Sequence, residues 1–200
     1  MKLYNRIKNK LNRYWNKPVE IPSYEVKRSA LNDYKEKYGL DVLVETGTFT
    51  GDTVEYFKNT FKKVVSIELA EDLAKRAQKR FKNDANVKII KGDSGEALKE
   101  LVEEINEPIL FWLDGHYSSE FFVGDEYIAT AKSALNTPVE EELKTILSSR
   151  RDHVILIDDA RLFNGTNDYP TINKVKKMVK KAGNSYSVIV NNDIIHITPA

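Results

Sequence analysis

Cysteine is absent from the 200-residue sequence. Its absence excludes disulfide bonds, thiolate metal sites and a cysteine nucleophile, and it fits a reducing compartment, with the cytoplasm as the expected location. Long apolar runs are absent too. No stretch approaches the ~18 consecutive apolar residues that span a bilayer, and residues 1–15 lack the apolar core of a signal peptide. The sequence therefore predicts a soluble protein.

Net charge is small as well, because 31 basic residues nearly balance 30 acidic ones and leave a formal charge of +1. This balance gives no sign of a nucleic-acid coat, and we expect no nucleic-acid partner. The length fits a single catalytic or binding domain. Any partner attracted by charge must therefore bind a local patch, and residues 1–17 form such a patch because they contain lysines and arginines but no acidic residue.

Residues 1–17 also carry apolar residues at spacings of three and four, which is typical of a helix with an apolar stripe and a basic opposite face. Such a helix either packs its stripe on the domain or contacts an anionic membrane surface or a protein partner. Pro18 and Pro22 interrupt the pattern, and a second helix is predicted from Tyr24 to Tyr38, with Gly39 as its stop. We predict a helical extension over residues 1–40 and a main domain over residues 41–200.

From residue 41 onward, short β-branched runs alternate with helical patterns. This alternation predicts right-handed crossovers and a mostly parallel sheet covered on both faces, which is a doubly wound, Rossmann-like α/β fold. The last two runs, YSVIV and DIIHITP, leave no room for a crossover helix and predict a hairpin with Asn191 and Asn192 between its strands. A five-stranded parallel sheet closed by a C-terminal antiparallel hairpin is the layout of the class I methyltransferase fold.

The first predicted strand ends in VLVETGTFTG, where Gly47 and Gly51 allow a sharp turn and close approach to a ligand. The GxGxxG pattern of a nicotinamide site is absent. The spacing Glu45-x-Gly47-x-x-x-Gly51 resembles the first motif of class I S-adenosylmethionine-dependent methyltransferases. The resemblance implies that S-adenosylmethionine binds at this turn, which includes Thr48, and that Glu45 reaches the amino group of its methionine moiety. An ordinary strand-to-helix turn is the alternative.

Two further strand ends extend the predicted donor site. Glu68 ends the second strand about twenty residues beyond the glycine turn, where a carboxylate accepts hydrogen bonds from both ribose hydroxyls. The alternative is that Glu68 is exposed to solvent and caps the helix that follows. Asp93 and Ser94 end the third strand, where the methyltransferase resemblance implies contacts with adenine. Either residue is equally suited to cap the helix that follows.

The fourth strand ends in FWLDGHYSS and the fifth in VILIDDARLF, so Asp114, Asp158 and Asp159 are predicted to lie at neighbouring strand ends. Carboxylates gathered there need a positive partner, either a divalent cation such as Mg²⁺ or a lysine or Arg161. These motifs resemble the macrocin-type metal-dependent O-methyltransferases. The resemblance implies that the three aspartates bind Mg²⁺ or another divalent cation, and that the acceptor is a hydroxyl of a sugar or related small molecule.

His116 lies two residues after the first of these aspartates, where the macrocin-type family has an aspartate as general base. A histidine is suited to the same proton transfer at neutral pH, and ligation of the metal is its alternative role. Residues 118–138 are predicted to form a long irregular loop over the site, which either sets acceptor specificity or contacts another subunit. The motifs DGHYS, TPVEEEL and IDDARLF also resemble a group of bacterial methyltransferase-like proteins.

Taken together, these patterns predict an S-adenosylmethionine-dependent O-methyltransferase, assisted by a divalent metal, that acts on a small-molecule or glycan acceptor. Two alternatives stay open. One is a metal-free methyltransferase with His116 as its base. The other is a non-catalytic S-adenosylmethionine-binding protein whose basic N-terminal helix docks on a membrane or a partner. The oligomeric state is open as well, because no motif in the sequence sets it.

Overall fold

The computed structural model describes residues 21–115, 137–149, 151–183 and 185–200, and the backbone alone of residues 120–123 and 126–129. Its helices are α1 (Tyr24–Tyr38), α2 (Asp52–Phe57), α3 (Glu71–Arg80), α4 (Ser94–Glu104), α5 (Val139–Ser148) and α6 (Ile172–Lys181). Its strands are β1 (Val42–Thr46), β2 (Lys63–Glu68), β3 (Val87–Lys91), β4 (Ile109–Leu113), β5 (Glu120–Val123), β6 (Glu126–Ala129), β7 (Val154–Ile157), β8 (Tyr186–Asn191) and β9 (Ile194–Pro199). The predicted basic helix over residues 1–17 and His116 lie outside the described residues.

Seven strands form one twisted sheet in the order β3-β2-β1-β4-β7-β9-β8. Strands β1, β2, β3, β4 and β7 pair in parallel, whereas β9 runs antiparallel to both of its neighbours. The predicted α/β fold, with a five-stranded parallel sheet and a C-terminal antiparallel hairpin, is therefore confirmed.

The central strand β1 is buried along its whole length because helices cover both faces of the sheet. Val42 and Val44 point to one face, where they pack against apolar residues of α4, α5 and α6. Leu43 points to the other face and packs with Leu31 of α1 and Phe57 of α2. The period of two along the strand thus divides the apolar residues between two cores.

The first helix ends where the sequence predicted. Gly39 follows Tyr38 in the left-handed region, with φ of 61°, and its backbone N–H is bonded to the carbonyl of Lys35. This geometry is the usual glycine stop of a helix. The predicted helix over 24–38 is confirmed, and its buried residue Leu31 anchors it to the sheet.

The turn of the terminal hairpin lies one residue later than predicted. Asn191 belongs to β8, and the two turn residues are Asn192 and Asp193, with φ of 49° and 57°. A two-residue turn with both central residues at positive φ matches the twist of a hairpin, and Asn and Asp tolerate that conformation. The shift has a functional consequence, because it brings Asp193 into the turn.

Residues 118–138 were predicted to be irregular throughout, and this prediction is wrong in part. Their described backbone contains the antiparallel pair β5 and β6, in which Glu120 faces Ala129 and Val123 faces Glu126. Aromatic and β-branched residues favour strands, and the two segments are separated by only two residues in the sequence.

Among the described residues, no helix is long and apolar enough to cross a membrane.

Candidate active site

Parallel pairing brings the carboxyl ends of β1, β2, β3, β4 and β7 to one edge of the sheet. The pairing continues one residue past the strands. The Asp114 N–H donates to the carbonyl of Thr46 at 3.1 Å, and the Asp158 N–H donates to the carbonyl of Leu113 at 3.0 Å. The predicted convergence of strand ends is therefore present, and in open α/β sheets this edge is where ligands bind.

The glycine turn after β1 needs both of its glycines, and the sharp turn that was predicted for them is present. Gly47 has φ of 87° and Gly51 has φ of 83°, a region that other residues rarely adopt. A Cβ on Gly47 would lie 2.6 Å from the carbonyl oxygen of Asp114, and one on Gly51 would lie 2.7 Å from the Phe81 ring. The atoms that crowd out a side chain at both positions belong to the protein itself. The close approach of a ligand stays a prediction.

Glu45 is almost completely buried at the end of β1, with 2% of its surface exposed. Ser66 donates a hydrogen bond to its carboxylate at 2.6 Å, and the Ser66 hydroxyl lies 2.7 Å from the hydroxyl of Thr48. Burial raises the pKa of Glu45 to about 8, a shift that the bonds from Ser66 and Thr53 oppose and the charge of Asp114 reinforces. A carboxylate in this position gains from a positively charged group beside it.

Glu68 joins the two loops of the predicted donor site. One carboxylate oxygen accepts the Phe49 N–H of the glycine turn, and the other accepts the Ala70 N–H of its own loop, both at 2.8 Å. Each oxygen has a second lone pair that remains able to accept a hydroxyl. Glu68 is therefore placed at the strand end where the sequence predicted it, and it holds the backbone of the glycine turn in position.

Asp93 and Ser94 divide two roles between them. Asp93 is the N-cap of α4 and accepts the Gly95 N–H at 2.9 Å, which is one of the two roles predicted for this pair. The Ser94 hydroxyl donates to the carboxylate of Glu142 on α5 at 2.6 Å. Burial raises the pKa of Glu142 to about 7, against the opposing effect of the Ser94 bond.

Glu142 was not among the predicted site residues, although the sequence pattern contains a signal for it. It shares the buried face of α5 with Val139, Leu143 and Ile146, at helical spacing. A glutamate on an otherwise apolar stripe is unusual, because a buried carboxylate needs a partner. Its neighbours Glu140 and Glu141 belong to the other face and hide this signal in the run of three glutamates.

The acidic cluster at the ends of β4 and β7 is present, and a lysine lies at its centre. The Lys27 ammonium of α1 forms a hydrogen-bonded ion pair with Asp158. Burial lowers the pKa of Lys27, but the bond and charge of Asp158, together with the charges of Asp114 and Asp159, raise it overall. Burial, reinforced by Asp114, raises the pKa of Asp158, and Lys27 opposes that shift. No pattern in the sequence distinguishes Lys27 from the other lysines of its helix.

Asp159 is balanced by a different cation. It has φ of 57°, and Arg161 donates to its carboxylate at 2.7 Å. The same guanidinium forms an ion pair with Asp193, whose carboxylate also accepts the Arg161 N–H at 2.7 Å. The hairpin turn thus fixes Arg161 beside the acidic cluster. An ion pair from Arg161 was one of the alternatives predicted from the sequence.

The predicted Mg²⁺ site does not fit this arrangement. A divalent ion held by Asp114, Asp158 and Asp159 would have to displace Lys27 from the second of these and Arg161 from the third. In the described part of the chain, no group of three or more histidine, aspartate or glutamate side chains is arranged to hold a metal. The carboxylates are compensated by the chain's own cations.

A small cleft opens beside the acidic cluster. Its walls combine apolar residues with Asp114, Asp158 and Glu142, and they include the rings of Phe163 and Tyr169. These two rings meet edge to face, with their centroids 5.4 Å apart. Burial and the negative charge of Asp159 raise the pKa of Tyr169, so its hydroxyl stays protonated and able to donate.

Comparison with known proteins points to one class. Residues 26–121, slightly less than half of the chain, match the family model of ribosomal RNA adenine dimethylases. An SAH-bound methyltransferase of Podospora anserina is similar in structure, with a TM-score of 0.57 and 15% identity over 100% of this chain and 96% of that one. An O-methyltransferase of Bacillus cereus in complex with SAH has a TM-score of 0.54 and 18% identity, covering 94% of this chain and 87% of that one.

The 23S rRNA methyltransferase ErmE is also similar, with a TM-score of 0.53 and 14% identity over 86% of this chain and 68% of that one. No curated protein matches the chain. The fold is that of the class I S-adenosylmethionine-dependent methyltransferases, and the comparisons support an enzyme of the methyltransferase class. These similar proteins include both an O-methyltransferase and methyltransferases of ribosomal RNA.

Proposed function

We propose that the chain transfers a methyl group from S-adenosylmethionine to a hydroxyl of a small-molecule or glycan acceptor. One observation carries the proposal. Gly47 of the donor turn packs directly against the backbone of Asp114, so close that a Cβ would lie 2.6 Å from the Asp114 carbonyl oxygen. The predicted donor residues and the acidic cluster are thus two halves of one site.

The donor side is suited to S-adenosylmethionine in three places. Glu45 would bind the amino group of the methionine moiety, because a buried carboxylate gains from a positive partner. Glu68 would accept the ribose hydroxyls, and Asp93 with Ser94 would contact the adenine. When bound, this cofactor supplies a methyl group on a positively charged sulfur, which a nearby oxygen can accept.

On the acceptor side, we propose that Asp114 and Asp158 orient the hydroxyl and that His116 removes its proton. The imidazole of histidine titrates near neutral pH, as a general base requires. The ring of Tyr169, which lines the small cleft beside Asp114 and Asp158, would contact the acceptor. The metal-assisted form of this reaction requires Mg²⁺ to replace two ion pairs, whereas the metal-free form uses the site as it is built.

An RNA acceptor is the second candidate, and the match of residues 26–121 to the ribosomal RNA adenine dimethylases favours it. The two candidates differ in the atom methylated, an oxygen or an adenine nitrogen. Incubation with methyl-labelled donor and either ribosomal RNA or a panel of glycans separates them. Label in RNA alone would replace the hydroxyl proposal with the second candidate.

Two predictions for the N-terminal region remain proposals. We propose that residues 1–40 form an extension to the domain of residues 41–200, and that residues 1–17 dock on a membrane surface or a protein partner from the cytoplasm. Deleting residues 1–17 should leave SAH affinity unchanged and reduce binding to anionic vesicles. Unchanged vesicle binding would contradict the docking role.

Replacing Glu68 with alanine should weaken SAH binding by about 1–3 kcal/mol, the cost of leaving buried hydrogen-bonding groups unpaired. The change removes both the proposed ribose acceptor and the acceptor of the Phe49 N–H. Isothermal titration with SAH measures the effect, and NAD should not bind either protein.

Glu71→Ala is the matched control, because Glu71 lies three residues further along the chain and its side chain is 60% exposed. It should bind SAH like the original protein. Thermal unfolding of both variants without ligand shows whether the loop is intact. Equal SAH affinity in the Glu68 and Glu71 variants would remove Glu68 from the donor site.

A further inference from the structure

The acceptor side of the site contains a cation from outside the main domain. Lys27 belongs to α1, which precedes the first strand of the sheet, yet its ammonium pairs with Asp158, 131 residues further along the chain. The Lys27 side chain is 17% exposed and that of Asp158 is 2% exposed. This is a largely buried pair, in which each charge depends on the other.

The position of Lys27 is set by the packing of its helix. Leu31, one turn further along α1, is buried in the core against Leu43 of β1 and Phe57 of α2. Tyr34 lies on the same helix, and its ring contacts His196 of β9, with centroids 5.4 Å apart. The helix is therefore fixed at two points, and Lys27 reaches the end of β7 from a packed element.

The second cation near the cluster is already engaged. Arg161 is shared between Asp159 and Asp193, so it balances the outer part of the cluster. Lys27 alone pairs with Asp158 among the described residues, and it also lies within the field of Asp114. Two carboxylates that converge in a partly buried site need such a charge, and here α1 supplies it.

We propose that Lys27 is the resident cation of the acceptor site and occupies the place where a divalent metal would otherwise bind. It is a positioning residue, because its ion pair with Asp158 orients that carboxylate beside the acceptor. The role in transfer rests on the proposed function, but the exclusion of metal does not. The extension α1 is then part of the active site, and methyl transfer needs no added metal.

Manganese binding to the full chain tests this proposal, with electron paramagnetic resonance to count free Mn²⁺ during a titration with MnCl₂. The original protein and Lys27→Arg should bind Mn²⁺ weakly. Lys27→Met, which keeps the length of the side chain but removes its charge, should bind Mn²⁺ roughly tenfold or more tightly. A second change, Asp158→Asn, should abolish that gain.

One outcome would overturn the proposal: Lys27→Met binds Mn²⁺ no more tightly than the original protein. Thermal unfolding verifies that each variant is folded. If Lys27→Met does not fold, Lys27→Arg still provides a folded variant that keeps the charge. SAH titration of the same samples reports separately on the donor site. Failure of SAH to bind would contradict the proposed function and leave the Mn²⁺ result to decide the role of Lys27.

Discussion

Replacing Gly47 with alanine is expected to destabilise the protein by about 3–5 kcal/mol. Two costs add together. Alanine at φ of 87° is strained, and its Cβ would lie 2.6 Å from the carbonyl oxygen and 3.0 Å from the carbonyl carbon of Asp114. These are backbone atoms at the end of a central strand, so they cannot turn aside as a flexible side chain would. Urea denaturation of the variant and the original protein measures the difference.

Gly183→Ala is the control for backbone strain alone. Gly183 has φ of 79°, close to that of Gly47, but a Cβ there would meet nothing within 4 Å. The expected loss is about 1–2 kcal/mol. Similar losses in the two variants would show that the contact with Asp114 is not tight, and would weaken the link between the two halves of the site. The Gly47 variant should also lose SAH binding, whereas the Gly183 variant should retain it.

Replacing Glu45 with glutamine is expected to stabilise the ligand-free protein by roughly 3 kcal/mol at pH 7. The pKa of Glu45 is raised from 4.5 to about 8, so folding favours its protonated form. Its stabilising contribution is complete below pH 4.5 and is lost as the pH rises through 8. Glutamine is neutral at every pH, and its amide oxygen can still accept the Ser66 bond, so it avoids this loss.

The measurement is the free energy of unfolding of both proteins from pH 4.5 to pH 8. The difference between them should be small at pH 4.5 and grow by about 1.4 kcal/mol per pH unit. Glu141→Gln should show no such growth, because that side chain is 57% exposed. A constant difference for Glu45→Gln would mean that Glu45 titrates alike in the folded and unfolded protein.

The same substitution should weaken donor binding, which connects stability with function. An ionised Glu45 is costly in the empty site and becomes favourable when a positive amino group lies beside it. Binding should therefore release a proton from Glu45. Titrations of SAH in buffers of different ionisation enthalpy would detect that proton, and its absence in Glu45→Gln would assign it to this residue.

Most of the fold follows from patterns that are local in the sequence. Alternating strands and helices predict the doubly wound sheet, and Gly39 predicts the end of α1, because both depend on periodicity and backbone geometry. The pair β5 and β6 was missed because the expectation of a loop outweighed the strand propensity of its aromatic residues. The hairpin turn was misplaced by one residue because Asn191, Asn192 and Asp193 all favour turns.

The positions of the proposed donor residues were predictable for the same reason, since Glu45, Gly47, Gly51 and Glu68 lie at or beside strand ends that the sequence locates. For the acidic cluster, the sequence predicted a divalent cation, a lysine or Arg161 as the positive partner, but it did not predict which of them binds. The charge of Asp158 is balanced by a lysine 131 residues away, and no spacing rule identifies which of the lysines in α1 faces the sheet. The resemblance to metal-dependent enzymes therefore led to the prediction of Mg²⁺ at the place where the structure has the ammonium group of Lys27.

The proposed donor residues and the Lys27–Asp158 pair differ in the length of chain that separates the groups brought together. The donor residues fall between positions 45 and 94, in consecutive strand and helix units, so their loops are short. The pair of Lys27 and Asp158 closes a loop of 131 residues and requires β1, β4 and β7 to be aligned first. Because long loops cost more chain entropy, contacts of this kind form late in folding. We therefore expect the Lys27 ammonium group to reach Asp158 only after the central sheet has assembled.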